Sequence, residues 1–266
     1  MGLKSKNVLI TGASMGIGEA FARIVAAEGA NLALFARSKD KLQGITADLQ
    51  KKYPSSKVIF KAIDLQSYEA VEKAVSETTN EIGTIDILIN NAGLALGAPA
   101  RFPELKLSDI VTMNSTNING LMFVTYAVLN SSMMSRKEGT ILNVTSVTGL
   151  EVPPFPGEAV YHSNKAAQEA FTNALRNELI GTNIRVLALR PGVVATNFHS
   201  LRVGHDKGMY DSFIEGYTPL EAEDITGAAI YMLNQPLNIS VKALDVVPSA
   251  QRSLTVFDRS WNERNA

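Results

Sequence analysis

A single doubly wound α/β domain, with a seven-stranded parallel sheet and helices on both faces, is predicted by three features of this 266-residue chain. Short runs rich in Val, Ile and Leu alternate with longer segments of helical period. The short runs are continuously apolar, and no linker, repeat or low-complexity tract divides the chain. Continuous apolar strands separated by helices belong to parallel sheets buried on both faces, whose ligands lie outside the carboxyl ends of the strands.

The strands follow in order as "NVLIT" (7–11), "NLALFA" (31–36), "KVIFKAID" (57–64), "DILINNA" (86–92), "TILNVTS" (140–146), "IRVLALRPG" (184–192) and "ALDVVP" (243–248). Helical period fills the intervals at 17–29, 38–52, 67–82, 107–136, 160–180 and 221–234, the last opening on Glu223 and Asp224 as N-terminal charges. Two segments break this rhythm, 149–158 ("GLEVPPFPGE") and 193–217. Both follow strand carboxyl ends, where loops longer than ~12 residues commonly act as lids or binding loops. A tail, 249–266, follows the last strand.

Bulk properties exclude several function classes. With 45% hydrophobic and 19% charged residues the chain matches ordinary soluble domains. A net charge of −1 supplies no basic face for nucleic acid. The absence of cysteine removes disulfides, thiolate zinc sites and cysteine nucleophiles. His162, His199 and His205 show no metal-ligand spacing, so no metal is expected. No apolar run reaches ~18 residues, and the first strand stands where a leader would be. A cytoplasmic protein with no membrane partner is the expectation.

"TGASMGIG" (11–18) lies between the first strand and the first helix. Gly12, Gly16 and Gly18 let the backbone turn and approach a pyrophosphate, which the free N–H groups of the helix start would hold. Strand two then ends in "FARSKDK", with Ala36 where a carboxylate would bond a ribose 2′-OH, followed by Arg37, Ser38 and Lys39. A cation attracts a 2′-phosphate and a carboxylate would repel it, so the expected cofactor is NADP(H). Asp64 reads equally as an acceptor for the adenine amino group or as the N-cap of the helix at "DLQSYE".

Tyr161 and Lys165, in "YHSNKAAQEAF", stand one helical turn apart on one face. Together with "TGASMGIG", "NNAG" (90–93), "STNING" (115–120), Ser146 in "ILNVTSVTG" and "RPGVVAT" (190–196), the pair resembles the ordered motifs of the short-chain dehydrogenases/reductases, from about Lys6 to Pro248. The resemblance implies a Rossmann-type fold, hydride exchange between nicotinamide and a carbonyl or secondary alcohol, and catalytic Tyr161, Lys165, Ser146 and Asn117. It also implies cofactor contacts from Gly12, Ser14, Met15, Gly16, Ile17, Gly18, Arg37, Ser38, Asp64, Leu65, Asn91, Ala92, Gly93, Tyr161, Lys165, Pro191, Gly192, Val194 and Thr196, with Thr196 on the carboxamide. A homodimer or homotetramer paired through 107–136 and 160–180 is implied as well.

A free phenol titrates near 10. A cation ~4 Å away at an effective dielectric of ~20 contributes roughly 4 kcal/mol, about three pK units before screening and desolvation, so Lys165, helped by the positive ring of oxidised nicotinamide, is expected to make Tyr161 acidic. Ser146 would hold the substrate oxygen; Thr145 and Thr148 flank it, and the family pattern of Ser-x-x-Gly selects Ser146. Asn117 would fix a water on the proton path from Lys165, or else kink its helix.

Among family members, "TNFHSLR", "TPLEAEDI" and "LDVVPSAQRS" look most like the NADP-dependent 3-hydroxy acid (serine-type) dehydrogenases. Arg202 then becomes a carboxylate clamp through its planar fork or a pin for its loop. Ser146 and Tyr161 are two residues further apart than the commonest family spacing, and Phe155 lies in the added length as a substrate contact. That departure admits a bulkier ketone or aldehyde. A non-catalytic NADP(H) sensor or scaffold is the alternative from another class.

Overall fold

The structure, a computed structural model, describes residues 2–153, 156–202 and 207–266. Among the described residues the sheet comprises β1 (Asn7–Thr11), β2 (Asn31–Ala36), β3 (Val58–Ala62), β4 (Ile87–Asn90), β5 (Glu138–Val144), β6 (Asn183–Pro191) and β7 (Ala243–Val246). Their order is β3-β2-β1-β4-β5-β6-β7, and every pairing is parallel. All carboxyl ends therefore share one edge, and the connection order reverses between β1 and β4, which opens a crevice there.

Helices cover both faces. On one, α1 (Gly16–Ala27), α2 (Lys39–Lys52) and the later helix Ala222–Leu233 bury Phe21, Leu42 and Ile225 against β1 and β2. On the other, α3 (Tyr68–Ile82), a long helical rod α4 (107–136) and α5 (Ala159–Glu178) bury Val71, Val124 and Leu175 against β4 and β5. The rod widens into π turns at Ser115–Gly120 and Leu129–Met133. Such turns inside α-helices accompany functional sites, and the first of them carries Asn117.

Strand ends differ from expectation for a pairing reason. The third strand stops at Ala62 because its partner β2 stops at Ala36. The fifth ends at Val144, so Thr145 and Ser146 leave the sheet, and Ser146 caps a 3₁₀ turn (Val147–Gly149) by accepting from Thr148 N at 3.0 Å. The helix after β3 is capped by Ser67, which accepts from Ala70 N at 3.2 Å. Asp64 instead accepts from Gln66 N at 3.0 Å in the preceding turn, so its N-cap reading is corrected. Asp224 does close the start of its helix, accepting from Glu221 N at 2.8 Å.

The segment 193–217, expected to be irregular, contains α6 (Asn197–Arg202) and α7 (Lys207–Ile214), and the chain continues to α8 (Ala222–Leu233). Phe213 and Tyr217 pack with Phe257 and Trp261 of the tail, whose hairpin pairs Gln251–Ser253 with Val256–Phe257. Tyr217 stacks on Phe257 at 5.0 Å. The Gln251 side chain accepts from Val193 N at 3.1 Å, which fixes the chain as it leaves β6. Contacts between residues so distant in sequence leave no local period to read. Phe155 and His205, named from the sequence, lie outside the described residues.

A buried polar chain joins sheet to helices. Asn90 Nδ2 donates to Thr125 Oγ1 and to Asn143 Oδ1, each at 2.9 Å, and Asn143 Nδ2 donates to Thr172 Oγ1 at 2.8 Å. Fully buried Asn143 thus links β4, β5 and α5 at the edge where the crevice opens. Replacing Asn143 by Ala strands partners away from water, at a cost of about 1–3 kcal/mol. A lowered midpoint in urea unfolding with an unchanged m-value is the expected outcome.

Candidate active site

The glycine loop is built by close backbone approach. Gly12 has φ 67°, and a Cβ there would stand 2.8 Å from Ala92 Cα. A Cβ on Gly18 would stand 2.1 Å from the Gly12 carbonyl oxygen. Thr11 Oγ1 accepts from Asn91 N and Ala92 N, both at 3.0 Å, while Asn91 Nδ2 donates to Thr11 O at 3.1 Å. The first and fourth strand ends are thereby locked together beneath the loop, and the start of α1 faces the crevice.

One cleft is lined by Gly12, Ser14, Met15, Gly16, Ile17, Arg37, Ser38, Asp64 and Leu65 at one end. Asn91, Ala92, Gly93, Pro191, Gly192, Val194 and Thr196 continue the same wall, and Ser146, Tyr161, Lys165 and Arg202 stand at the other end. Gly18 lies behind this wall, where its role is packing against Gly12. The donor set suits a dinucleotide: a cradle with no room for Cβ atoms, a helix start for a pyrophosphate, and Arg37 with Ser38 beside Ala36 for a 2′-phosphate.

Tyr161 and Lys165 are both buried on α5, 6% and 4% exposed. Burial disfavours the charged form of each. It pushes the Tyr161 phenol up to about 12, with Arg202 and a hydrogen bond to Ser146 opposing the rise and Glu158 adding to it. It brings Lys165 down to about 8, with the Glu169 carboxylate opposing. Lys165 Nζ lies 5.8 Å from the Tyr161 ring centroid and donates to Val144 O at 3.1 Å and Gln168 Oε1 at 3.0 Å. Burial is the largest influence on the phenol, and the cation that lowers it is Arg202.

The flanking threonines are resolved by their partners. Thr145 points to Glu169 and to Leu189 O, on the far side of the β5 end. Thr148 is buried, and its carbonyl contacts His162 Nδ1, which places that histidine on the 3₁₀ turn. Of the three, Ser146 is the one that opposes the rise of the phenol, and its Oγ accepts from Thr148 N at 3.0 Å and donates to Pro191 O at 3.4 Å. Asn117 serves the frame: its side chain accepts from Leu94 N at 2.9 Å and donates to Leu94 O at 2.8 Å and Asn164 Oδ1 at 3.1 Å. Its carbonyl accepts from Gln168 Nε2 at 2.6 Å, so Gln168, unnoticed in the sequence, bridges Asn117 to Lys165.

Residues 6–205 match the family model described as short chain dehydrogenase. The chain belongs to the short-chain dehydrogenase family. Similar members include the NADP-dependent 3-hydroxy acid dehydrogenase of Schizosaccharomyces pombe, 38% identical over 94% of this chain and 95% of that protein. Sulfoacetaldehyde reductase 2 of Chromohalobacter salexigens is 36% identical over 92% and 94%. Among solved structures, the closed form of serine dehydrogenase complexed with NADP+ superposes with a TM-score of 0.85 at 31% identity, covering 93% of this chain and 96% of that one.

In this short-chain dehydrogenase Arg202 does not stand open as a carboxylate clamp. Its Nε lies 2.5 Å from Glu158 Oε1, both residues are buried, and the guanidinium covers the Tyr161 ring at 5.1 Å and the Phe198 ring at 5.7 Å. Glu158, Gln168 and Glu169 are the site residues that the sequence left unnamed. Glu169 receives Arg190 through two bonds, of 3.0 and 2.8 Å, beneath Lys165. A buried carboxylate four residues after the Lys was the available signal. Replacing Gly18 by Ala forces Gly12 and Asn91 aside, and a loss of dinucleotide affinity of about tenfold or more, measured by fluorescence titration with NADPH, is expected.

Proposed function

We propose that this oxidoreductase exchanges hydride between NADP(H) and a substrate of the 3-hydroxy acid/3-oxo acid type, with Tyr161 as the proton donor and acceptor. The observation that carries the reading is the buried Tyr161 phenol, with Ser146 in the same cleft as the glycine loop and Arg37. The substrate class follows the names of the similar dehydrogenases. Bound NADPH supplies the hydride. Ser146 orients the substrate oxygen against the phenol, Tyr161 gives it a proton in reduction, and Lys165, held by Gln168 and Val144, stands behind Tyr161 as the charge that answers the phenolate. Thr196 and the backbone of 191–194 hold the nicotinamide end, and Arg37 holds the 2′-phosphate.

The pH dependence follows from these roles. Reduction needs the protonated phenol, which burial favours; oxidation needs the phenolate, which burial disfavours. The rate of alcohol oxidation is therefore expected to rise with pH and that of carbonyl reduction to fall as Tyr161 ionises. Tyr161→Phe is expected to lower kcat in both directions by about 10³-fold or more while NADPH affinity stays within about twofold. Equal activity in parent and variant would remove Tyr161 from the chemistry. Arg37→Ala is expected to cut the NADPH over NADH preference in kcat/KM by about tenfold or more.

The chain is further assigned to the cytoplasm and to a homodimer or homotetramer. The rod α4 supports the assembly by exposing Leu107, Val111, Tyr126 and Met134, with Tyr126 beside Phe123, Phe171 and Leu175 of α5 in one apolar depression. Light scattering after gel filtration is expected to give an even multiple of 28.7 kDa.

A further inference from the structure

The pocket end of the cleft contains one more designed feature, the pair of Glu158 and Arg202. Glu158 is 3% exposed and Arg202 6% exposed, and the contact between them spans 44 residues of sequence. The guanidinium is fixed over Tyr161 and Phe198, so the pair lies against the face of the proposed proton donor. Around it the lining is apolar, with Val147, Val193, Phe213 and Leu254. In such surroundings a charge is tolerated only when paired.

We propose that Glu158 is a specificity-determining residue: by neutralising Arg202 beside Tyr161, it restricts the reacting substrate to uncharged carbonyl and alcohol compounds. This rests on the proposed NADP(H)-dependent exchange at a carbonyl or alcohol in this site, and it changes the substrate from the free 3-oxo or 3-hydroxy acid to its ester or another neutral derivative.

An entering carboxylate or sulfonate meets two obstacles. It must take Arg202 from Glu158, stranding a buried carboxylate, or settle next to that carboxylate, where like charges repel in a medium of low dielectric. A neutral carbonyl compound meets neither. It needs only Ser146 and Tyr161 for its oxygen and apolar walls for its body. Discrimination of this kind comes from a repulsive element in the site, here the chain's own carboxylate.

The test is NADPH oxidation by the full chain with two pairs of substrates that differ in charge alone: acetoacetate with its ethyl ester, and 4-formylbenzoate with its methyl ester. The parent is expected to favour the ester in kcat/KM by about tenfold or more in each pair it turns over. Glu158→Gln is expected to raise the acid-to-ester ratio by about tenfold or more, mainly through a lower KM for the acid. In Glu158→Gln with Arg202→Gln, the ratio is expected to return to within about threefold of the parent.

A parent that prefers the free acid overturns the proposal. So does a ratio unmoved by Glu158→Gln, or a gain that survives the loss of Arg202. A double variant whose ratio falls about tenfold below the parent would show Arg202 to be a clamp after all. Where Glu158→Gln alone does not fold because it leaves Arg202 buried without its partner, the double variant, which removes both charges together, carries the decision. Turnover of the benzaldehyde pair without either acetoacetate compound would defeat the 3-hydroxy acid reading, while the ratio within that pair still judges Glu158.

Discussion

Burial of the Tyr161 phenol is the constraint around which the site is arranged. Removing it from water opposes ionisation strongly enough to push it up to about 12, and proton transfer at neutral pH requires that opposition to be answered by nearby charge and by hydrogen bonds. Ser146 opposes the rise from one side. Arg202 supplies one charge over the ring, partly cancelled by Glu158, and Lys165 stands behind as the other. The same burial that excludes water from a hydride transfer makes these partners obligatory.

Lys165 shows how the constraint spreads. Its ammonium is itself desolvated and brought down to about 8, so it retains its proton only with help. That help comes from the Val144 carbonyl, the Gln168 amide and, one turn further along α5, the Glu169 carboxylate. Glu169 is fixed by Arg190 and by Thr145, so the charge behind the phenol is tied to the ends of β5 and β6. Gln168 also reaches the Asn117 carbonyl at the π turn of the rod, where the widened helix presents it. Three elements thus meet at one ammonium.

Glu158 and Arg202 belong to the opposite side of the phenol and have a different consequence. Lys165 and Tyr161 line the cleft, and Glu158 and Arg202 line it beside them. Charge there is balanced within the chain. Under the proposed reading, such a site takes the oxygen of its substrate through Ser146 and Tyr161 and selects the remainder by size and lack of charge. Glu158 stands on the residue before α5 begins.

The strands from Asn7 to Val246, the long helices and the glycine cradle were legible in the sequence because each rests on local pattern: apolar runs, helical period, and glycines between a strand and a helix. Tyr161, Lys165, Ser146 and Arg37 could be named as candidates for the same reason, being fixed in spacing to those elements, and they line one cleft. The two helices of 193–217, the tail hairpin that steadies Val193, and the roles of Gln168, Glu169 and Glu158 were not. Each depends on a partner tens of residues away, and nothing in a local window records which carboxylate will meet which guanidinium. What the sequence by itself determined was therefore the sheet, the cradle and the candidates for the reacting groups. Tertiary structure alone decided their ionisation and which charges face the substrate, because burial and the pairing of distant side chains exist only once the chain has folded.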